Sequence, residues 1–361
     1  MKDCKIVLLG DVALNGIISN EPEKNILRYA KPKAQLKDAT AVFANLEVPV
    51  KVAEVFNANN KILLHSLEGP TREVLQYLNV SCVSIANNHI YDCKMEGVKA
   101  TIGMLEEIGI KFTGAGWKKQ HIEPVILNIG QSKIGFMAYV DKSTNPKTEN
   151  YPELLINYFD PIKVKEDLFL LKPQVDKVIC SIHWGVDYSY YPTPKQVEIA
   201  RDLINCGIDV IMGHHPHTMQ PFEIFKSGLI FYSLGGLTFG DSKLASGKYR
   251  ALKIKTKKGL IAELTESLSL SNTIVSKELK GNYIEFTGDN YLRWSNKKWT
   301  LYNLIKKFKI AKILNALYQS YFERTYEYLF GYYRNPLKSV FSISEWKKLK
   351  YLKKDFIKYK A

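Results

Sequence analysis

The stretch that organises the chain is Val210-Ile211-Met212-Gly213-His214-His215-Pro216-His217. Its apolar start predicts a buried strand, and Gly213 and Pro216 predict a sharp turn directly after that strand. Because a tight turn at a strand end holds its side chains rigidly, the imidazoles of His215 and His217 can reach one centre. Taken alone, the pattern fits a turn whose histidines pack or cap as well as it fits a metal site. Ligand residues at other strand ends would decide between the two.

Strand and helix patterns alternate over residues 1–245 and predict an α/β domain. Pro161 is expected to open a helix, and Thr71 to cap another that runs to about residue 78. An alternating pattern at 249–256 and 260–267 predicts a hairpin. Further helices are predicted at 95–108 and 194–205, and strands at 5–9, 40–44, 80–86, 125–129, 134–139, 176–183, 208–212 and 230–235.

Side chains that can bind a metal follow five of these strands. Since the carboxyl ends of strands in open α/β sheets converge, the residues predict one cluster of oxygen and nitrogen ligands. Such ligands suit Zn²⁺, Mn²⁺ or Fe²⁺ better than Ca²⁺. Taken singly, Asp11 also fits a turn or cap, and His89 a core histidine. In chain order the residues are Asp11, Asn45, Glu47, Asn88, His89, Asp92, His183, His215 and His217.

The composition is typical of a globular protein with ample length for a core. Of the 361 residues, 46% are hydrophobic and 24% are charged. No apolar run approaches the roughly 18 residues that a membrane span needs, and Asp3 and Asp11 argue against a signal peptide. The 5 cysteines are dispersed and do not predict a disulfide framework. We therefore expect a cytoplasmic protein, either free or peripheral to the inner face of the membrane.

The basic charge of the chain is concentrated at its C-terminal end. Residues 289–361 hold 17 of the 51 Lys and Arg and 5 of the 36 Asp and Glu, which is +12 of the net +15. They also hold 18 of the 43 aromatic residues. We expect a domain over 1–288 and a basic, aromatic-rich helical tail over 289–361. The tail could pack on the domain, or contact an anionic membrane surface or an acidic polymer. Nucleic acid is the least favoured partner, because no recognised motif accompanies the charge.

Six motifs, in order along about residues 4–270, resemble the CapA family of poly-γ-glutamate capsule biosynthesis proteins. That family is related to calcineurin-like metallophosphoesterases. The resemblance implies a four-layer α-β-β-α sandwich with two metal ions at one edge. The motifs are Gly10-Asp11-Val12, Ala44-Asn45-Leu46-Glu47, Ala86-Asn87-Asn88-His89 with Asp92, His183-Trp184-Gly185, Gly213-His214-His215-Pro216-His217 and Tyr232-Ser233-Leu234-Gly235.

The resemblance also implies a role for each matching residue. Asp11 and His217 would bind one metal, and Glu47, or less favourably Asn45, would bridge the two metals. The ligands of the second metal would be Asn88, His183 and His215. His214 is expected to be structural.

A histidine beside the metals would act on the substrate. His89 would contact the substrate and serve as the acid for the leaving group, while Asp92 orients its imidazole. Four further residues are candidates for substrate contact or for support of the ligands: Asn45, Asn87, Gln220 and Ser233.

Departures from the family pattern leave the number of metals open. Ala13 stands where phosphoesterases usually have a histidine, so the site could hold two divalent ions (Mn, Zn or Fe) or one. Asp187 replaces a common glutamate.

The function implied is that of a metal-dependent hydrolase or transferase. Its substrate would be an anionic polymer, a phosphoester or a γ-glutamyl amide in capsule or cell-envelope metabolism. The alternative is a non-catalytic accessory protein that serves as a scaffold in a polymer-synthesis complex.

Overall fold

Strands and helices alternate along the computed structural model, which describes residues 4–52, 62–144, 146, 151–240, 242–244, 249–250, 258–278, 284–287, 295–296 and 299. The α-helices are α1 (Ile17–Asn20), α2 (Asn25–Arg28), α3 (Ala30–Leu36), α4 (Glu68–Tyr77), α5 (Lys94–Glu107), α6 (Pro161–Leu171) and α7 (Pro194–Asn205). The first strands are β1 (Ile6–Ala13), β2 (Ala41–Leu46), β3 (Ile62–Leu63), β4 (Cys82–Ser84), β5 (Lys111–Thr113), β6 (Ala115–Gly116), β7 (Val125–Ile129), β8 (Ser132–Val140) and β9 (Leu155–Ile156). The remaining strands are β10 (Lys177–His183), β11 (Val210–His214), β12 (Phe222–Phe225), β13 (Gly228–Phe231), β14 (Gly236–Phe239), β15 (Ser242–Leu244), β16 (Tyr249–Arg250), β17 (Lys258–Leu264), β18 (Leu270–Glu278) and β19 (Ile284–Thr287).

Two sheets make up most of the described chain. The first has the order β19-β18-β17-β1-β2-β4-β5, with β14 also paired to β1. Strands β1, β2, β4 and β5 are parallel, whereas β17 runs antiparallel to β1. The second sheet has the order β12-β13-β11-β10-β8-β7, and its four inner strands are parallel. Parallel strands covered on both faces explain the continuous apolar runs from which the strands were predicted.

Three apolar layers separate these sheets and their helices. Phe43 of β2 and Phe136 of β8 meet between the sheets, with ring centroids 5.2 Å apart. Helices α4 and α5 cover the outer face of the first sheet, where Leu75 and Ile102 pack among its buried side chains. Helices α6 and α7 cover the outer face of the second sheet. The result is the expected four-layer α-β-β-α sandwich.

The helices that proline residues were predicted to open begin as expected. At α7, Thr193 and Gln196 form a capping box, in which each side chain bonds the backbone of the other. At α6, the Asp160 carboxylate accepts a hydrogen bond from the amide of Ile162 at 2.9 Å. Both helices have proline in the first turn, where no hydrogen bond is lost.

One local prediction was wrong. Thr71 does not cap α4, because the helix begins at Glu68 and the Thr71 hydroxyl bonds the carbonyl of Leu67 at 2.7 Å. Of the hairpin predicted over 249–256 and 260–267, residues 251–256 lie outside the described residues. In the described chain, β17 pairs antiparallel with β1 and with β18.

Most of the predicted helical tail, 289–361, lies outside the described residues. Of its described part, Trp299 donates from its indole nitrogen to the carbonyl of Phe222 at 2.6 Å and lies against the ring of Tyr232. Among the helices of the described chain, none is long and apolar enough to cross a membrane.

Candidate metal centre

The two sheets are joined at one edge by the segment 232–235, which leaves β13 of the second sheet and enters β14 of the first. Its backbone touches a glycine in each sheet. A Cβ atom on Gly10 would lie 2.0 Å from the carbonyl oxygen of Gly235, and one on Gly213 would lie 2.1 Å from that of Tyr232. Only glycine permits such an approach. This seam brings the carboxyl end of β1 close to that of β11.

Asp11 is the centre of the resulting cluster. Its fully buried carboxylate lies 3.0 Å from Nδ1 of His214 and 2.9 Å from Nδ1 of His217, and it accepts a hydrogen bond of 2.9 Å from Asn45. Asp11 does not end its strand, as had been predicted. It lies inside β1 at an irregularity where the pairing register shifts on both sides, and such bulges re-aim a side chain.

Glu47 lies between His217 on one side and His183 on the other. Its Oε1 atom is 3.5 Å from Nε2 of His217 and 4.0 Å from Nε2 of His183. Asn45, the alternative bridging residue, points its amide nitrogen at Asp11, at Glu47 and at Nδ1 of His183. The Oδ1 atom of Asn45 has no hydrogen-bond partner among the described residues, so an oxygen of either residue could bind a cation. Glu47 is favoured for the bridging position because its Oε1 atom lies between His217 and His183.

The second predicted group of ligands surrounds His183. The Oδ1 atom of Asn88 lies 2.9 Å from Nε2 of His183. The ring centroid of His215 is 4.9 Å from that of His183 and 5.9 Å from that of His217. The structure therefore brings all the residues predicted as metal ligands into one connected cluster.

The turn that carries two of these histidines has an unusual backbone. His215 has a φ of 93° and His217 a φ of 52°, on either side of Pro216. Non-glycine residues rarely adopt positive φ, and such strain is concentrated at functional sites. The positive φ angles cost the turn some stability, and they fix the positions of these two imidazoles.

His89 and Asp92 lie beside the cluster and contact each other. Nδ1 of His89 is 2.8 Å from Oδ2 of Asp92, which is fully buried and also accepts the amide of Leu64 at 2.8 Å. Asp92 is thus fixed from two sides and can orient the imidazole, as predicted from the sequence.

The other predicted residues support loops and do not join the cluster. Asn87 donates to the carbonyl of Leu46 and accepts the amide of His89. Ser233 accepts the amide of Gly235 within the seam. Gln220 donates to the carbonyls of Ser189 and Tyr191 at 3.1 and 3.0 Å.

Burial and charge together separate the pKa values of the two carboxyl groups. Burial by itself raises the pKa of Asp11, but hydrogen bonds and charges from His214 and His217 outweigh it and hold that pKa well below its usual range. Burial raises the pKa of Glu47 well above its usual range, and the charge of Asp11 adds to this effect. Of these two carboxyl groups, Asp11 is the one that ionises more readily.

The pKa values of His183, His215 and His217 are also shifted in different directions. Burial lowers the pKa of His183 and of His215, which keeps both neutral and able to donate a lone pair. Burial also opposes charge on His217, but Glu47 and Asp11 outweigh it and raise the pKa of His217 to about 10.

The donor atoms fit a divalent cation. In the described chain, two groups of possible ligand atoms lie within 4.8 Å of one another, one from Asp11, Glu47 and His217 and one from Asp187, His215 and His217. Four buried atoms of the cluster have no hydrogen-bond partner among the described residues: Asn45 Oδ1, Glu47 Oε1, His214 Nε2 and His215 Nδ1. Buried polar atoms without partners are rare unless a ligand satisfies them.

Two contacts were missed from the sequence. Asp187, noted only as a replacement for glutamate, lies 3.4 Å from Nε2 of His215. His214, expected to be structural, contacts Asp11 directly. The position of Asp187, four residues beyond His183 in the same strand-end loop, was the one signal that could have added it to the site.

These observations define a class of protein: a four-layer α/β sandwich with a buried cluster of carboxylate and histidine side chains where its two sheets meet. The chain belongs to the bacterial capsule synthesis protein PGA_cap family, whose model matches residues 5–241. This result confirms the family that six sequence motifs had indicated.

Two curated relatives carry names from capsule biosynthesis. The chain is 27% identical over 251 residues to capsule biosynthesis protein CapA of Bacillus anthracis, covering 65% of this chain and 59% of that protein. It is 28% identical over 240 residues to PGA biosynthesis protein CapA of Bacillus subtilis strain 168, covering 64% and 62%. The chain thus spans about three fifths of the length of these relatives.

A solved structure also matches. The calcineurin-like phosphoesterase YfkN from Bacillus subtilis aligns with a TM-score of 0.45 at 12% identity, covering 83% of this chain and 98% of that one.

Proposed function

We propose that this protein is a divalent-metal-dependent hydrolase or transferase of capsule or cell-envelope polymer metabolism. Its substrate would be poly-γ-glutamate or a related anionic polymer, and the bond cleaved a γ-glutamyl amide or a phosphoester. The observation that carries the proposal is the buried group of Asp11, Glu47 and His217, whose ligand atoms converge within 4.8 Å. Names from capsule biosynthesis among the curated relatives supply the substrate class.

The ligand residues divide into two sets in this proposal. Asp11 and His217 hold a first ion, and Glu47 lies between the two positions. A divalent cation held here would supply Lewis acidity and would lower the pKa of a water molecule in the site. The ligands of a second ion are Asn88, His183 and His215.

His89 moves the proton that the leaving group needs. Because Nδ1 of His89 is engaged by Asp92 at 2.8 Å, Nε2 is the nitrogen left to carry a proton to the substrate. Asp92 is a positioning residue, since its buried carboxylate binds Nδ1 of His89, on the far side of the ring from Nε2, and accepts the amide of Leu64.

Partners and location belong to the same proposal. The segment 289–361 would contact the anionic polymer or an anionic membrane surface at the inner face, because it combines a net charge of +12 with 18 aromatic residues. Nucleic acid is not the partner we propose.

The test combines metal content with turnover of phosphoester and γ-glutamyl amide substrates. We expect His183→Ala and His215→Ala to lower the content of Mn²⁺ or Zn²⁺ in the purified full chain. His89→Ala should retain the metal and lower turnover by about 10²- to 10⁴-fold, the range of general acid catalysis. Equal metal content in all three variants would contradict the assignment of ligands.

The unmodified chain is the reference for both measurements. If it binds no Mn²⁺ or Zn²⁺ in stoichiometric amount, the enzymatic proposal fails and the accessory, scaffold-like role remains. If it binds metal and turns over neither class of substrate, the metal site stands and the reaction class is wrong.

A further inference from the structure

Asp187 is the carboxylate on the solvent side of the cluster. Its side chain is 47% exposed, whereas those of its neighbours His215 and His217 are 6% and 8% exposed. The function proposed above assigns no role to Asp187. It is nevertheless the residue that groups with His215 and His217 as possible ligands, within 4.8 Å.

The loop that carries Asp187 is tied to the histidine turn by its backbone. The amide of Tyr188 donates to the carbonyl of Pro216 at 2.9 Å, so the residue after Asp187 is anchored between the two histidines. The side chains of Thr218 and Gln220 both donate to the carbonyl of Ser189. These bonds place the Asp187 carboxylate at the turn although its side chain is half exposed.

The distance between Asp187 and His215 suits two ligands of one ion. The gap of 3.4 Å between Oδ1 and Nε2 is longer than a good hydrogen bond of about 2.7–3.2 Å. It equals the edge of a tetrahedron with metal–ligand bonds of about 2.1 Å, which is about 3.4 Å. A second observation points the same way, since the possible ligand atoms of Asp187, His215 and His217 all lie within 4.8 Å of one another.

We infer that Asp187 is a further metal ligand and that, beside Asn88, His183 and His215, it holds the second divalent ion from the solvent side. The inference rests on the proposed function and deepens it. Because one of its ligands is half exposed, this ion is held more weakly than the ion of Asp11 and Glu47, both of which are fully buried. The second ion is therefore exchangeable, and its occupancy follows the concentration of free metal.

The inference is tested by titrating chelator-treated full chain with Mn²⁺ and with Zn²⁺ in a calorimeter. We expect two ions of unequal affinity in the unmodified chain. Asp187→Asn should weaken the second ion by at least about 10-fold and leave the first unchanged, because the charge of a direct ligand is lost while an amide oxygen remains. Asp187→Glu, which keeps the carboxylate, should restore most of the lost affinity.

Asp202→Asn is the matched control, because Asp202 is 51% exposed and lies on α7 in an ion pair with Lys165. It should titrate like the unmodified chain. Two equal affinities, a single ion in the unmodified chain, or an Asp187→Asn variant with unchanged affinities would each overturn the inference and leave the proposed function intact. If the unmodified chain binds no metal, both fail together.

Discussion

The two ends of strand β1 carry buried polar clusters of opposite character. At the start, Glu263 is satisfied by Lys5 at 2.7 Å, by Gln35 at 2.6 Å and by Asn272 at 3.0 Å. At the other end, about 20 Å away along the strand, Asp11 lies in the cluster where Glu47 has an oxygen without a hydrogen-bond partner among the described residues.

The difference separates a polar cluster that serves the fold from one that serves a ligand. The Glu263 cluster joins α3, β1, β17 and β18 and satisfies both of its carboxylate oxygens. In the Asp11 cluster the hydrogen bonds orient the side chains, and atoms such as Glu47 Oε1 have no hydrogen-bond partner among the described residues. A satisfied buried network stabilises a fold, whereas a partly satisfied one is a candidate binding site.

The largest expected effect is the loss of metal from Asp11→Asn. The amide can still bond His214 and His217 but has lost the charge that a cation needs. We expect metal affinity to fall by more than about 100-fold, because a direct ligand matters more than a supporting residue. The metal-free variant should also lose about 1–3 kcal/mol of stability, because one amide oxygen replaces a buried carboxylate that contacts His214, His217 and Asn45.

Thermal unfolding with and without Mn²⁺ measures both quantities. Metal at 100 times its Kd should stabilise the unmodified chain by about 2.7 kcal/mol and leave Asp11→Asn unaffected. If Mn²⁺ stabilised Asp11→Asn as much as the unmodified chain, Asp11 would not be a metal ligand, and the contrast between the two clusters would fail.

The opposite result is expected for Glu263→Gln. Because the new amide group would face the donors of Lys5 and Gln35, we expect a loss of about 1–3 kcal/mol of stability at pH 7. Metal content should be unchanged. Denaturant unfolding and metal analysis of the same preparation test the two expectations, and loss of metal here would show that the clusters are not independent.

The stability that Glu263 contributes should depend on pH in a definite direction. Burial by itself raises the pKa of Glu263, but hydrogen bonds from Lys5, Gln35 and Asn272 outweigh it and lower the pKa below its usual value. The contribution is therefore complete above the unfolded-state pKa of about 4.3 and is lost as the pH falls through the lower folded-state pKa.

Urea unfolding of the unmodified chain and of Glu263→Gln between pH 7 and pH 3 would show this. The difference in unfolding free energy should be constant down to about pH 5 and shrink below about pH 4. A difference that grew on acidification would contradict the assigned direction of the pKa shift.

The smallest effect is expected for Asn272→Ala. Asn272 is exposed, and it donates one hydrogen bond to an oxygen of Glu263, which keeps Lys5 and Gln35 on its other oxygen. The loss should be about 0.5 kcal/mol, measured by the same denaturant titration. A loss as large as that of Glu263→Gln would mean that the cluster depends on each of its members.

Much of the fold could be predicted from local patterns. Apolar runs such as 5–9 and 176–183 predicted the inner parallel strands of the two sheets, because strands covered on both faces have few polar positions. Pro194 and Gly207 predicted the limits of α7. The predictions failed where local signals compete, as at Thr71, whose hydroxyl can bond a preceding carbonyl inside a helix as readily as it can cap one.

The candidate site, like the fold, could be predicted from the sequence only in part. The residue types at the strand ends predicted the ligand cluster, because parallel strands deliver their carboxyl ends to one edge. Apart from its place four residues after His183, the sequence carries no signal for Asp187, since its approach to His215 depends on the bond between the amide of Tyr188 and the carbonyl of Pro216, which are distant in sequence.

The sequence by itself determined the order of strands and helices, the ligand types at the strand ends and the basic charge of the tail. Each of these depends on composition or on neighbours within one turn or one strand. The tertiary structure alone decided that Asp11 lies within its strand, that Glu47 Oε1 lies between His217 and His183, and that Asp187 reaches His215. The reason is that these contacts are made across the seam of two sheets, where Gly10 and Gly213 let distant backbones touch.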